Sequence, residues 1–140
     1  MSRTAGFMLF EMLAGLALAA TVTGIGAARL PVVVGPVRLT GAAERVAAAL
    51  RLARGRALAR NRRFEVRFDI AARSWSLHEE GGPALEVQAL PPGIAFSSLP
   101  SAARVRFGTT GTADNATVVL TSGPRARRVI VNQRGRVQIQ

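Results

Sequence analysis

Gly6-Phe7-Met8-Leu9-Phe10-Glu11 opens an apolar run that continues to Ala28. From Phe7 to Ala28 there are 22 residues and one ionisable side chain, Glu11. At ~1.5 Å per residue a helix of that length reaches about 33 Å, enough to cross a hydrocarbon core of roughly 30 Å. The chain is therefore expected to begin as a membrane segment. A carboxylate at the centre of a bilayer costs on the order of 2.5–3.5 kcal/mol on insertion scales, and it persists when it has a partner or a task. Glu11 lies one turn inside the run, where the nearby interface relieves part of that cost.

Gly6-Phe7-x-Leu9-x-Glu11 followed by an apolar helix resembles the class III signal of type IV pilins and type II secretion pseudopilins. The resemblance implies that a prepilin peptidase cuts after Gly6 and that the new terminus, Phe7, is N-methylated. Glu11 then becomes the fifth residue of the mature chain, which in that family pairs with the terminal amine of a neighbouring subunit. The physics suits the role: an α-amine with a reference pKa of ~7.7–8.0 is largely cationic at neutral pH, and two charges costly in lipid become tolerable as a pair. Met8 stands where the family more commonly has a small hydroxyl residue, and the leader Met1–Gly6 is short, with Arg3 its one arginine.

The residues alone leave three other readings open, a secretory signal peptide cut at Ala17-Leu18-Ala19, a plain signal anchor and a buried soluble core helix. The apolar region of a signal peptide normally spans about 7–15 residues, shorter than this run. Arg29 and Arg38 follow the run while Arg3 precedes it, so positive-inside counting favours the orientation opposite to the one the motif implies.

Beyond the run, Pro31 and Pro36 with Gly35 predict a bend, since proline removes a backbone donor and clashes with the preceding turn. Helix is expected to resume at about Gly41 and run to about Arg62. At 100° per residue Val46, Ala47, Leu50, Ala53, Ala57 and Leu58 form one stripe, with Arg45, Arg56, Arg60 and Arg63 on the far side. Arg54 falls inside that stripe, so its stem is expected to pack while its guanidinium reaches outward or meets a carboxylate. Phe64–Ile70 then alternates without a miss, predicting a strand with Phe64, Val66, Phe68 and Ile70 inward and Glu65, Arg67 and Asp69 outward. Ser74–His78 alternates more weakly. Shorter strands are predicted at 84–89, 94–97, 104–107, 117–121, 127–132 and 136–139, separated by glycine and proline turns.

The passage Leu50-Arg51-Leu52-Ala53-Arg54-Gly55-Arg56-Ala57 into Phe64-Glu65-Val66 resembles the helix-to-first-strand passage of the GspH/FimT pseudopilin group. Phe107-x-x-x-Gly111 and the closing Gly135-Arg136 hairpin are similar to that group's C-terminal half. The resemblance implies an α+β, pilin-like fold: a long kinked N-terminal helix, membrane span plus amphipathic half, packed on antiparallel β-sheets. It divides the chain into a leader at 1–6, a transmembrane and assembly helix at 7–28, a kinked linker at 29–40 and a periplasmic domain at 41–140.

Composition limits the chemistry. All 19 basic residues are arginine, against eight acids, and there is no cysteine, so disulfides and thiol catalysis are excluded. His78 stands alone beside Glu79 and Glu80 and is expected to be exposed or on a strand edge; one histidine with scattered carboxylates gives neither a catalytic set nor metal-ligand spacing. No enzyme activity and no cofactor are expected. A net charge of +11 attracts anionic partners. Pairing of the last two strands would bring Arg125, Arg127, Arg128, Arg134 and Arg136 onto one edge suited to phosphate oxygens.

Two functions follow from the resemblance. The first is a minor pseudopilin of a type II secretion system, single-pass in the bacterial inner membrane with its C-terminal domain in the periplasm. Its partners would be the prepilin peptidase and other major and minor pseudopilins. The alternative is a FimT-like minor type IV pilin that binds DNA through its C-terminal arginines. That group's DNA-binding element is Gly-Arg-x-Arg, whereas this chain has Gly135-Arg136-Val137-Gln138.

Overall fold

The computed structural model describes residues 3–140, with side chains described for 10–21 and 35–140. The chain divides into two compact units, Met1–Val34 and Gly35–Gln140. One helix, α1 (Arg3–Arg60), is followed by eight strands: β1 (Phe64–Asp69), β2 (Ser74–Glu79), β3 (Ala84–Ala89), β4 (Ala95–Ser98), β5 (Arg104–Phe107), β6 (Ala116–Ser122), β7 (Arg125–Val131) and β8 (Val137–Ile139).

Residues 35–40, the part of the linker expected at 29–40 whose side chains are described, are helical, and the side chain of Pro31 is not among those described. The helical conformation beyond Pro36 is held by burial, because Leu39, Ala42 and Ala43 are among the least exposed residues of the chain. A proline forfeits its own donor, and the packed face offsets that loss. At the other end Asn61, with φ of 50°, takes the left-handed conformation that closes a helix, so α1 stops at Arg60 instead of Arg62.

The second unit has two four-stranded antiparallel sheets, ordered β3-β2-β1-β5 and β4-β6-β7-β8. Val46, Ala47, Leu50, Ala53 and Ala57 of α1 are fully buried as the stripe required, against Phe64, Val66, Leu77, Val105 and Phe107 of the first sheet and Val118, Leu120, Val129 and Val131 of the second. The alanines keep the helix surface low, which permits close approach to a sheet. Phe68 meets Phe96 edge-to-face at 5.6 Å between ring centroids, joining one sheet to the other. Leu58, expected in the stripe, is half exposed.

In β1 the alternation has the right parity and two wrong consequences. Phe64, Val66 and Phe68 point into the core, and Ile70, just past the end of the strand, is 60% exposed. Glu65 belongs to the opposite face, paired with His78 on β2 and Arg106 on β5, yet it is 2% exposed. Arg67 donates a hydrogen bond to it, and Arg104 approaches it at 3.8 Å. Their half-exposed side chains spread over the carboxylate and replace water above it.

Candidate functional site

Glu11 is exposed, and among the described residues it makes no ion pair or hydrogen bond. Its neighbours share that exposure: Phe10, Met12, Leu13, Leu16 and Leu18 all present most of their surface, Phe10 being 75% exposed. Among the described residues no helix is long and apolar enough to cross a membrane. The span expected at 7–28 lies partly outside them, and so do the side chains of Gly6 and Phe7, on which the cleavage and methylation expectations rest.

The five arginines expected on one edge fall into two groups. Register sets this: Ser122 pairs with Arg125 at one end of the β6–β7 hairpin, while Val131 pairs with Val137 at the other end of β7. Arg125 and Arg127 share the strand face of buried Val129 and Val131, and they lie beside Pro36 and Leu39 of α1. Arg128 faces the other way, and its backbone exchanges both hydrogen bonds with Gln140. All three side chains are exposed.

Arg134 and Arg136 flank the tight turn between β7 and β8. Asn132 organises that turn, its side-chain oxygen accepting from the backbone N–H of Arg134 at 3.1 Å and of Arg136 at 2.9 Å. Gly135 is left-handed, with φ of 70°, and a Cβ there would sit 2.1 Å from the Gly111 carbonyl oxygen. Only glycine fits. That same carbonyl accepts from Arg54 Nε at 3.1 Å. So part-buried Arg54 bonds a backbone carbonyl and not a carboxylate through its Nε. It ties the helix to the turn after β5, on which the last hairpin rests.

A cleft of about 320 Å³ is lined there by Arg51, Arg54, Gly55, Leu58, Gly135 and Arg136, among others. Arg136 thus joins two helix arginines and not the β7 group. Arg51 and Arg54 were legible only as an i, i+3 pair on a helix, and their meeting with the last hairpin needed the strand order.

Around a second cleft of about 310 Å³, charges are paired. Arg63 meets Glu80 at 3.5 Å and Arg106 meets Asp114 at 3.4 Å. Nearby, the hydrogen bond that Arg62 donates to Glu79, and then the charge of that carboxylate, raise the Arg62 guanidinium above its ordinary value. His78, expected to be exposed or on an edge, is buried on the interior strand β2. Its ring nitrogens reach Ser76 Oγ at 2.8 Å and the Gly82 carbonyl at 3.3 Å. Among the described residues no three His, Cys, Asp or Glu side chains converge as a metal site would require.

Comparison with known proteins sets this geometry in context. A search of curated proteins finds no match. Among solved structures, the type IV minor pilin FimU of Pseudomonas aeruginosa superposes with a TM-score of 0.62 at 21% identity, covering 73% of this chain and 87% of that one. The minor pseudopilin EpsH from the type 2 secretion system of Vibrio cholerae gives 0.62 at 16% identity, covering 74% and 96%. At these identities the likeness establishes the pilin-like fold. The profile described as Type II transport protein GspH matches residues 42–135, more than half of the chain, and the chain belongs to the GspH family.

Proposed function

We propose that this chain is a structural minor pseudopilin of a type II secretion system, cut after Gly6, methylated at Phe7 and assembled into the pseudopilus with other pseudopilins. The GspH match over residues 42–135 carries the reading, supported by the Glu11-bearing apolar run ahead of it. In this scheme residues 7–28 hold the protein in the inner membrane, the domain lies in the periplasm, and Glu11 receives the amine of a neighbouring subunit. The exposed apolar surface of residues 10–21 fits a segment that packs against lipid first and other helices later. Mass spectrometry of the mature N-terminus tests processing. A methylated Phe7 is expected, and a start near Ala20 would mean a conventionally secreted protein.

A second reading, DNA capture by a minor type IV pilin, draws on the cleft where Arg51, Arg54 and Arg136 meet. Three guanidiniums from two elements present more donors than one hairpin does. Duplex retardation that falls steeply with salt would favour it. An unshifted band at low salt would remove it.

A further inference from the structure

Each acid between Gly35 and Gln140 is engaged. Glu44, Glu65, Glu79, Glu80 and Asp114 stand in ion pairs with arginines, Asp69 accepts from the Ala72 N–H, and Glu86 accepts from Gln88. The remaining guanidiniums are a surplus without counter-charge, and two of them gather where the chain enters this unit. Arg125 and Arg127 line a cavity of about 180 Å³ with Pro36, Leu39 and Ala126. Arg38 is exposed next to buried Leu39, and Val37 is 68% exposed. Among the described residues the side chains of Arg38, Arg125 and Arg127 have no ion pair.

Chain connectivity decides what this strip stands beside. Pro36 follows Ala28, the end of the apolar run, by eight residues. Such a tether spans about 12 Å as helix and under about 29 Å fully extended. If residues 7–28 occupy a bilayer, the entry point of the domain cannot leave the neighbourhood of the headgroups.

We propose that Arg125 and Arg127 form a contact site for anionic phospholipid headgroups at the membrane-facing end of the domain. The proposal rests on the reading of residues 7–28 as a membrane segment. The guanidinium fork matches phosphate oxygens, and attraction to an anionic surface fades within a Debye length of about 8 Å, so a tethered site benefits where a free one would not. Val37 and Pro36 add apolar surface of the kind that settles at the boundary between headgroup and acyl chain. A DNA duplex fits less well: it would need a longer row of phosphate contacts than this strip supplies, and Arg134 and Arg136 lie at the far end of β7.

The test uses the full chain, in which Ala126→Cys introduces the one thiol, labelled with a polarity-sensitive dye. The protein is diluted from detergent into vesicles of phosphatidylcholine alone, or of equal parts phosphatidylcholine and phosphatidylglycerol. Flotation with the neutral vesicles reports the membrane segment by itself. The dye is expected to shift to the blue only with the anionic vesicles, to return with added salt, and to lose that response when Arg125→Gln and Arg127→Gln are combined. Flotation with equal dye emission in both vesicles, or a response the double variant retains, overturns the headgroup site and leaves the membrane reading standing. Failure to float on neutral vesicles overturns both. A shift with duplex DNA but none with anionic vesicles reassigns the arginines to nucleic acid and overturns the proposal.

Discussion

Two stretches of the same helix stand in opposite circumstances. Between Leu39 and Ala57 every third or fourth residue is sealed against the sheets, and apart from Leu52 polar or small residues fill the intervals. Between Phe10 and Thr21 all residues are exposed, the large apolar ones included. The difference lies in what each stretch finds within its own chain. The later one meets two sheets whose inner faces complete its core, whereas the earlier one is apolar on all sides, a pattern that suits surroundings supplied by lipid or other subunits.

If this contrast is right, substitutions in the two stretches separate by readout. The largest loss of stability is expected from Leu50→Ala, about 2–5 kcal/mol for a leucine deleted from a closed core, followed by denaturant unfolding of the full chain in detergent through the buried Trp75. Next comes Gly135→Ala, at about 2–4 kcal/mol, because a left-handed backbone and a blocked Cβ position coincide there. Gly123→Ala sharpens the comparison: its φ is also positive, at 59°, but nothing crowds the new methyl group, so it should cost clearly less. Arg54→Ala is expected to cost about 1–3 kcal/mol by leaving the carbonyl of buried Gly111 without its donor. The smallest effect belongs to Leu16→Ala, within about 0.5 kcal/mol. A larger loss at Leu16 would mean that the early stretch packs on its own domain, and the contrast would fail.

Much of the domain was legible because alternation and helical period report the same burial from two directions. Phe64-Glu65-Val66-Arg67-Phe68 specified a strand and its core face, and the stripe from Val46 to Ala57 specified the helix face. What escaped depended on partners remote in sequence. Glu65 is buried on the face predicted to be wet because Arg67 and Arg104 cover it, and periodicity cannot see a lid made of side chains. Ile70 fits the alternation but falls just beyond the strand that would have turned it inward. The five arginines do not share one edge for the same reason: Arg125 opens β7 while Arg134 lies in the turn beyond its other end, whereas Arg54 and Gly111, 57 residues apart, touch.

The assembly role rests on Glu11 being reserved for an amine of another subunit. The direct measurement is recovery of the other pseudopilins with the full chain after cross-linking in the membrane, comparing the wild type with Glu11→Leu. The account predicts that Glu11→Leu stays in the membrane with its domain folded and loses most of those neighbours. Recovery equal to the wild type would contradict it.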